Sequence, residues 1–155
     1  MHQKNGFSLI ELVVVVVIIA IIGAIAIPRM SRGAAGANDS AVIQDLSTMR
    51  AAIDLFTQEH GGVYPSTTPA TFLAQMTGYT DSTGATGTKD TTHIYGPYLK
   101  GIPSLPVGTN KGSNLVTGTG PAGTGAFGWY YDGSTVWAND PASDTDVKNI
   151  AYNTY

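Results

Sequence analysis

Hydrophobic and polar positions along the chain follow three regimes, and each predicts its own element. From Phe7 to Ile27 the run FSLIELVVVVVIIAIIGAIAI is apolar, interrupted only by Ser8, Glu11 and Gly23. At about 1.5 Å of rise per residue, a helix of this length is roughly 31 Å long and spans the hydrocarbon core of a bilayer. The valine run at positions 13–17 would suit a buried strand, but strands do not extend this far. The pattern therefore predicts a membrane-spanning helix that is apolar all round. Over residues 38–60 the pattern changes. Val42, Leu46, Met49, Ile53 and Phe56 recur at spacings of 4, 3, 4 and 3, which places them on one stripe of an amphipathic helix. Gln44, Asp45, Arg50, Asp54, Gln58 and Glu59 occupy its polar face. In the third regime, aromatic and β-branched residues at 127–131 and 134–138 flank Asp132-Gly133, a favoured turn dipeptide, and predict a β-hairpin.

Punctuation between these stretches predicts where elements begin and end. Pro28 removes a backbone donor and is expected to bend or end the first helix. Gly33-Ala34-Ala35-Gly36 then forms a weak helical join, since glycine costs roughly 1 kcal/mol relative to alanine. Asn38 or Asp39 is placed to cap the amphipathic helix, and Gly61-Gly62 to end it. Tyr64-Pro65 begins a loop. Thr68-Pro69 reads as a second helix start, threonine as cap and proline in the first turn, with Phe72, Leu73 and Met76 inward and Gly78 as the stop. Residues 81–92 and 108–125, rich in Gly, Ser and Thr, read as surface loops. Trp129 and Trp137 suit sheet packing against the long helix better than a ligand platform. The class is α+β: a long N-terminal helix, half membrane-spanning and half amphipathic, on a small antiparallel sheet with loop-rich connections.

Composition narrows the chemistry. The 155 residues carry a net charge of −3, and only 12% are charged, so no basic groove for nucleic acid or polybasic membrane surface is indicated. There is no cysteine, which excludes thiol catalysis, thiolate metal sites and disulfides. His2, His60 and His93 have no ligand partner at i+3 or i+4, and no P-loop, G-x-S-x-G or H-E-x-x-H is present. Asp140, Asp144 and Asp146 form one oxygen-rich cluster in a loop. Such hard ligands suit calcium, but the run is not an EF-hand and reads first as a solvated acidic tail.

Glu11 stands out within the apolar run. A carboxylate deep in hydrocarbon costs on the order of 3 kcal/mol, less if it snorkels to the headgroups. Lys4 in a short polar leader, Gly6, Phe7 and Glu11, then an apolar run closed by Pro28, together resemble the class III signal of type IV pilins and their relatives. The resemblance implies a pilin-like fold and cleavage by a prepilin peptidase between Gly6 and Phe7, with methylation of the new N-terminus at Phe7. It also implies a filament-assembly role for Glu11, whose carboxylate would meet the amine of a neighbouring subunit. Ala20, Gly23, Ala24 and Ala26 would let neighbouring helices approach closely, and they are also ordinary helix filler. A conventional signal peptide would be shorter in its apolar region and cut after it.

The resemblance divides the chain into leader 1–6, a transmembrane and filament-core helix 7–28, and a head 29–155. Lys4 on one side and Arg29 and Arg32 on the other leave the positive-inside count undecided. The resemblance implies a single-pass inner-membrane precursor, leader inside, and then a periplasmic or extracellular homo-oligomeric helical filament built by an inner-membrane assembly platform. The absent cysteines, the GG-x-YP stretch at 61–65 and residues 96–103 are similar to the major pseudopilin of type II secretion. After that loop only Pro106 and Gly108 keep the family's pattern. Calcium in a C-terminal loop is a property of those pseudopilins too. The alternatives are a type IV pilus major pilin serving adhesion, motility or DNA uptake, and, from another class, an enzyme or binding head tethered by the helix.

Overall fold

The computed structural model describes residues 8–120 and 125–155, the side chains of 26–32 excepted. The leader, with Gly6 and Phe7, lies outside these described residues, as does the Pro28 side chain. The chain divides into two units, Met1–Ala35 and Gly36–Tyr155, and one helix, α1 (Leu9–Glu59), contributes to both.

In the first unit α1 begins one residue after Ser8 and is exposed on every side. Leu9, Ile10, Leu12, Val13 to Val17, Ile18, Ile19, Ile21, Ile22 and Ile25 all keep between 44% and 80% of their surface exposed. A helix that is apolar on every side needs an apolar environment around it. Among the described residues no helix is long and apolar enough to cross a membrane. Of the apolar run read from the sequence, Phe7 and the side chains of residues 26 and 27 lie outside the description. Pro28 does not end the helix, contrary to one of the two expectations for it, because α1 continues unbroken in backbone conformation to Glu59. A proline removes one rung of the hydrogen-bond ladder, and the neighbouring rungs keep the turn.

In the second unit the expected stripe is the core. Val42, Leu46, Met49, Ile53 and Phe56 are each at most 1% exposed. They meet Phe72 and Met76, then Leu99, Ile102, Leu105 and Val107, then Val116, Trp129, Tyr131, Val136 and Ala138. Gly61 and Gly62 end α1 as predicted, with φ of 65° and 91°. The Gly62 N–H donates back to the Thr57 carbonyl at 2.8 Å, the six-to-one bond of a Schellman ending. No new helix starts at Asn38 or Asp39, so neither is a cap.

Helix α2 (Pro69–Thr77) starts at the proline as read, but the Thr68 side chain makes no capping hydrogen bond. Phe72 and Met76 are buried, whereas Leu73 is 46% exposed, which corrects its inward assignment. Gln75 takes the third inward position instead. Its amide donates to the Gly84 carbonyl and its carbonyl accepts from the Ser66 N–H, both at 2.8 Å. Those two bonds satisfy a buried amide, and at 100° per residue position 73 then turns outward.

Two small sheets complete the unit. β1 (Tyr79–Thr80) and β2 (Thr86–Gly87) are antiparallel, while β3 (Val116–Thr117), β4 (Trp129–Tyr131) and β5 (Val136–Ala138) form a three-stranded sheet. The expected hairpin is β4–β5, with Tyr130 opposite Trp137. β3 pairs with β4 in parallel, so this sheet is mixed rather than purely antiparallel. Each stretch expected as a plain loop, 81–92 and 108–125, thus contains one short strand. The hairpin turn spans four residues, not two. Asp132 Oδ1 accepts from the N–H groups of Ser134 and Thr135, each at 2.8 Å, which organises the turn around its carboxylate.

Candidate functional site

Two regions hold the residues singled out from sequence. At the start of α1, the Ser8 N–H donates to Glu11 Oε2 at 2.8 Å. Ser8 is the residue before the helix and Glu11 its third residue, so the pair is half of a capping box, in which an acidic side chain takes up an otherwise free amide. The S-x-x-E spacing was present in the sequence and is a start signal that the length of the apolar run overshadowed. Glu11 therefore has a partner within its own helix. Gly6 and Phe7 lie outside the described residues.

The second region is the acidic C-terminal segment. Asp140 is fully buried, and its Oδ1 accepts from the Asn110 N–H at 3.0 Å. Asp144 Oδ2 accepts from the neighbouring Thr109 N–H at 2.6 Å. The fold thus brings Asp140 and Asp144 to one loop. Burial, with the Asp144 charge beside it, raises the Asp140 carboxyl above its ordinary range. Asp146 is committed elsewhere. Its Oδ1 accepts from the Lys148 and Ile150 N–H groups, at 2.7 and 2.8 Å, and its Oδ2 from the Tyr155 hydroxyl. The Tyr155 bond is the chief reason that its carboxyl sits below the usual range.

Among the described residues no group of three or more His, Cys, Asp or Glu is arranged to hold a metal. The three aspartates do not gather into such a group among these residues. Asp146 is the pivot of its own tight turn. Asn139 Oδ1 and Asp140 Oδ2 are buried acceptors without a protein donor.

His60 and His93 make packing and pairing contacts, and His2 lies outside the described residues. His60 stacks on Phe56 with ring centroids 3.9 Å apart, and its two nitrogens contact the Phe56 carbonyl and the Thr80 hydroxyl. His93 pairs with Asp90 at 3.1 Å. Trp129 is buried, with its indole N–H donating to the Pro103 carbonyl, and Trp137 lies under the Arg50 guanidinium at 5.4 Å. Both tryptophans pack, as expected.

Two important side chains escaped the sequence reading. Asp39 is buried and binds the C-terminal segment through both carboxylate oxygens. Arg50, assigned to the polar face of the helix, donates to the Val136 carbonyl at 2.9 Å and the Tyr155 carbonyl at 2.7 Å. Their partners are 86 to 113 residues away, and no local pattern signals them.

Residues 1–27 match the model of the prokaryotic N-terminal methylation motif. No curated protein and no solved structure matches the chain.

Proposed function

We propose that the chain is the structural subunit of a type IV pilin-like filament. The observation that carries this reading is the methylation motif over residues 1–27, the stretch that contains Gly6, Phe7 and Glu11. Prepilin peptidase cuts between Gly6 and Phe7 and methylates Phe7. The apolar helix then holds the subunit in the inner membrane, leader inside, with residues 7–28 spanning the lipid and residues 29–155 outside. An all-round apolar helix suits two surroundings in turn, lipid first and then a bundle of its own copies. In lipid, Glu11 rests on the Ser8 amide; in the bundle it exchanges that amide for the cationic amine of a neighbour, a stronger, charge-assisted contact. The role is structural rather than enzymatic.

Within that class we favour a major pseudopilin of type II secretion, on the missing cysteines and the partial likeness at residues 96–103. A type IV pilus major pilin is the second reading. The intact mass of subunit from cells tests the class: mass beginning at Phe7 plus one methyl group is expected, and mass beginning at Met1 overturns it. Glu11→Leu is expected to insert in the membrane but to yield no pelletable fibre. A head that works normally with Glu11→Leu would make the helix a mere tether. Long surface fibres in wild-type cells would favour the pilus, and a secretion defect without fibres the pseudopilus.

A further inference from the structure

Two strand edges in the head are open, and they differ in kind. β3 ends the three-stranded sheet and is paired on one side only, with β4. The Trp129 N–H donates to the Leu115 carbonyl at 3.1 Å, and in a parallel ladder this turns the N–H and carbonyl of Val116 away from β4. Neither group has a protein hydrogen-bond partner among the described residues. Val116 borders an apolar groove of about 170 Å³ whose walls include Ala70 and Leu73 of α2, Ile102, Leu115 and Phe127. Leu73 and Leu115 are half-exposed. An apolar cavity of about 150 Å³ holds a group as large as benzene, so this groove has room for one aliphatic side chain.

The second edge lies beside β1. Tyr95 and Thr80 exchange both backbone bonds, at 3.0 and 3.1 Å, which extends the β1–β2 sheet by one position. In an antiparallel pair the adjacent residue points its own N–H and carbonyl the other way. That residue is Ile94. Its backbone groups have no protein partner among the described residues, and its side chain is 58% exposed. Native proteins ordinarily blunt or cover such an edge, because it is a template for pairing with another chain.

The two edges complement each other. One offers a free N–H and carbonyl beside an apolar groove; the other offers the same pair of groups carrying an aliphatic side chain. Their charges are opposed as well. Lys100 and Lys111, both exposed, stand shortly before Ile102 and Asn114, which line the groove. The Ile94 side carries Asp81 and Asp90 against one lysine, Lys89.

We propose that the Ile94 edge of one copy of this chain pairs with the Val116 edge of the next, with the isoleucine side chain in the groove beside Leu73. Backbone bonds supply the adhesion, the groove fixes the register, and the flanking charges favour the encounter. A contact between unlike patches leaves one patch of each kind free at its ends, so it repeats from copy to copy instead of stopping at a dimer. The choice of a second copy as the occupant rests on the filament reading.

The chain has no cysteine, so two can be introduced without background. Leu73→Cys combined with Ile94→Cys in the full-length chain, treated with a short bismaleimide in cells producing filaments, should give a ladder of covalent multimers, and each single variant only monomer. Ile94→Asp should lower pelletable fibre at least about tenfold, because a carboxylate is then left unpaired in the groove, and leave the denaturant midpoint of the head unshifted. Filaments of the double variant without a ladder overturn the proposal. So do dimers in either single variant, the mark of a like-with-like contact, and a product in which the double variant is joined to a different protein. Failure of the filament reading shows instead as a subunit mass beginning at Met1, whereas failure of this contact shows as filaments of processed subunit that do not cross-link.

Discussion

The two halves of α1 share one backbone conformation and differ in what their surfaces specify. Residues 9–25 are apolar on every side, and in the structure every large side chain among them is exposed. Residues 39–59 gather most of their large apolar side chains on one stripe, Ile43 and Leu55 standing exposed outside it, and that stripe is buried to within 1% at its five central positions. A uniform surface has no preferred face, so it selects an environment rather than a partner. A striped surface selects one neighbour in one orientation, which here is the chain's own α2 and sheets. Helix-forming strength is not what separates them; the distribution of polar residues around the cylinder is.

Substitutions in the two halves should therefore have unequal consequences. Phe56→Ala removes a fully buried ring that stacks on His60, and is expected to destabilise the head by about 3–5 kcal/mol. Val16→Ala, the counterpart in the uniform half, should leave the same thermal or denaturant transition unshifted. An equal loss in both would abolish the contrast. Next in size is Arg50→Ala, which strands the Val136 and Tyr155 carbonyls and removes a cation from the Trp137 face. About 1.5–3 kcal/mol is expected by denaturant midpoint, with only partial recovery in Arg50→Lys because one ammonium cannot reproduce the fork.

A smaller effect concerns acid. Burial opposes ionisation of Asp132, but hydrogen bonds from Thr135, Ser134 and Trp137 prevail and hold its carboxyl at about 2. A carboxylate with a depressed folded value contributes its stability above its unfolded value of about 4, and loses it as pH falls from there toward 2. Wild type should lose up to about 1 kcal/mol over that window relative to Asp132→Asn, the group being largely exposed and screened. Parallel pH profiles for the two proteins would refute this role. Smallest of all, Leu73→Ser should change stability by under about 0.5 kcal/mol, because Leu73 faces outward while Phe72 and Met76 fill the core. A loss as large as that of a core leucine would restore the inward assignment.

Much of this was legible from local pattern. The 4-3-4-3 stripe, the Gly61-Gly62 ending, the start at Pro69 and the aromatic hairpin each follow from residues within a few positions of one another, and all appear where expected. What local pattern misjudged shares a cause. Leu73 and Gln75 exchange roles because Gly84 and Ser66 come close enough to satisfy a buried amide. The cluster Asp140, Asp144 and Asp146 divides because Tyr155 and the backbone of residues 148 and 150 claim Asp146. The loop at 108–125 supplies a parallel strand because β4 offers it an edge.

Sequence alone settled that the apolar run and the amphipathic stretch are helical, though not that they form one continuous helix, which face of the second half of α1 turns inward, and that Glu11 is the single charge in the apolar run; these are properties of spacing, and a helix or strand imposes its period on any chain that forms it. The fates of Asp39, Arg50 and Asp146 were decided only on folding. Polar side chains are indifferent between water and a buried partner until a donor or acceptor from elsewhere in the chain arrives, and here, for Asp39 and Arg50, those partners come from 86 to 113 residues away.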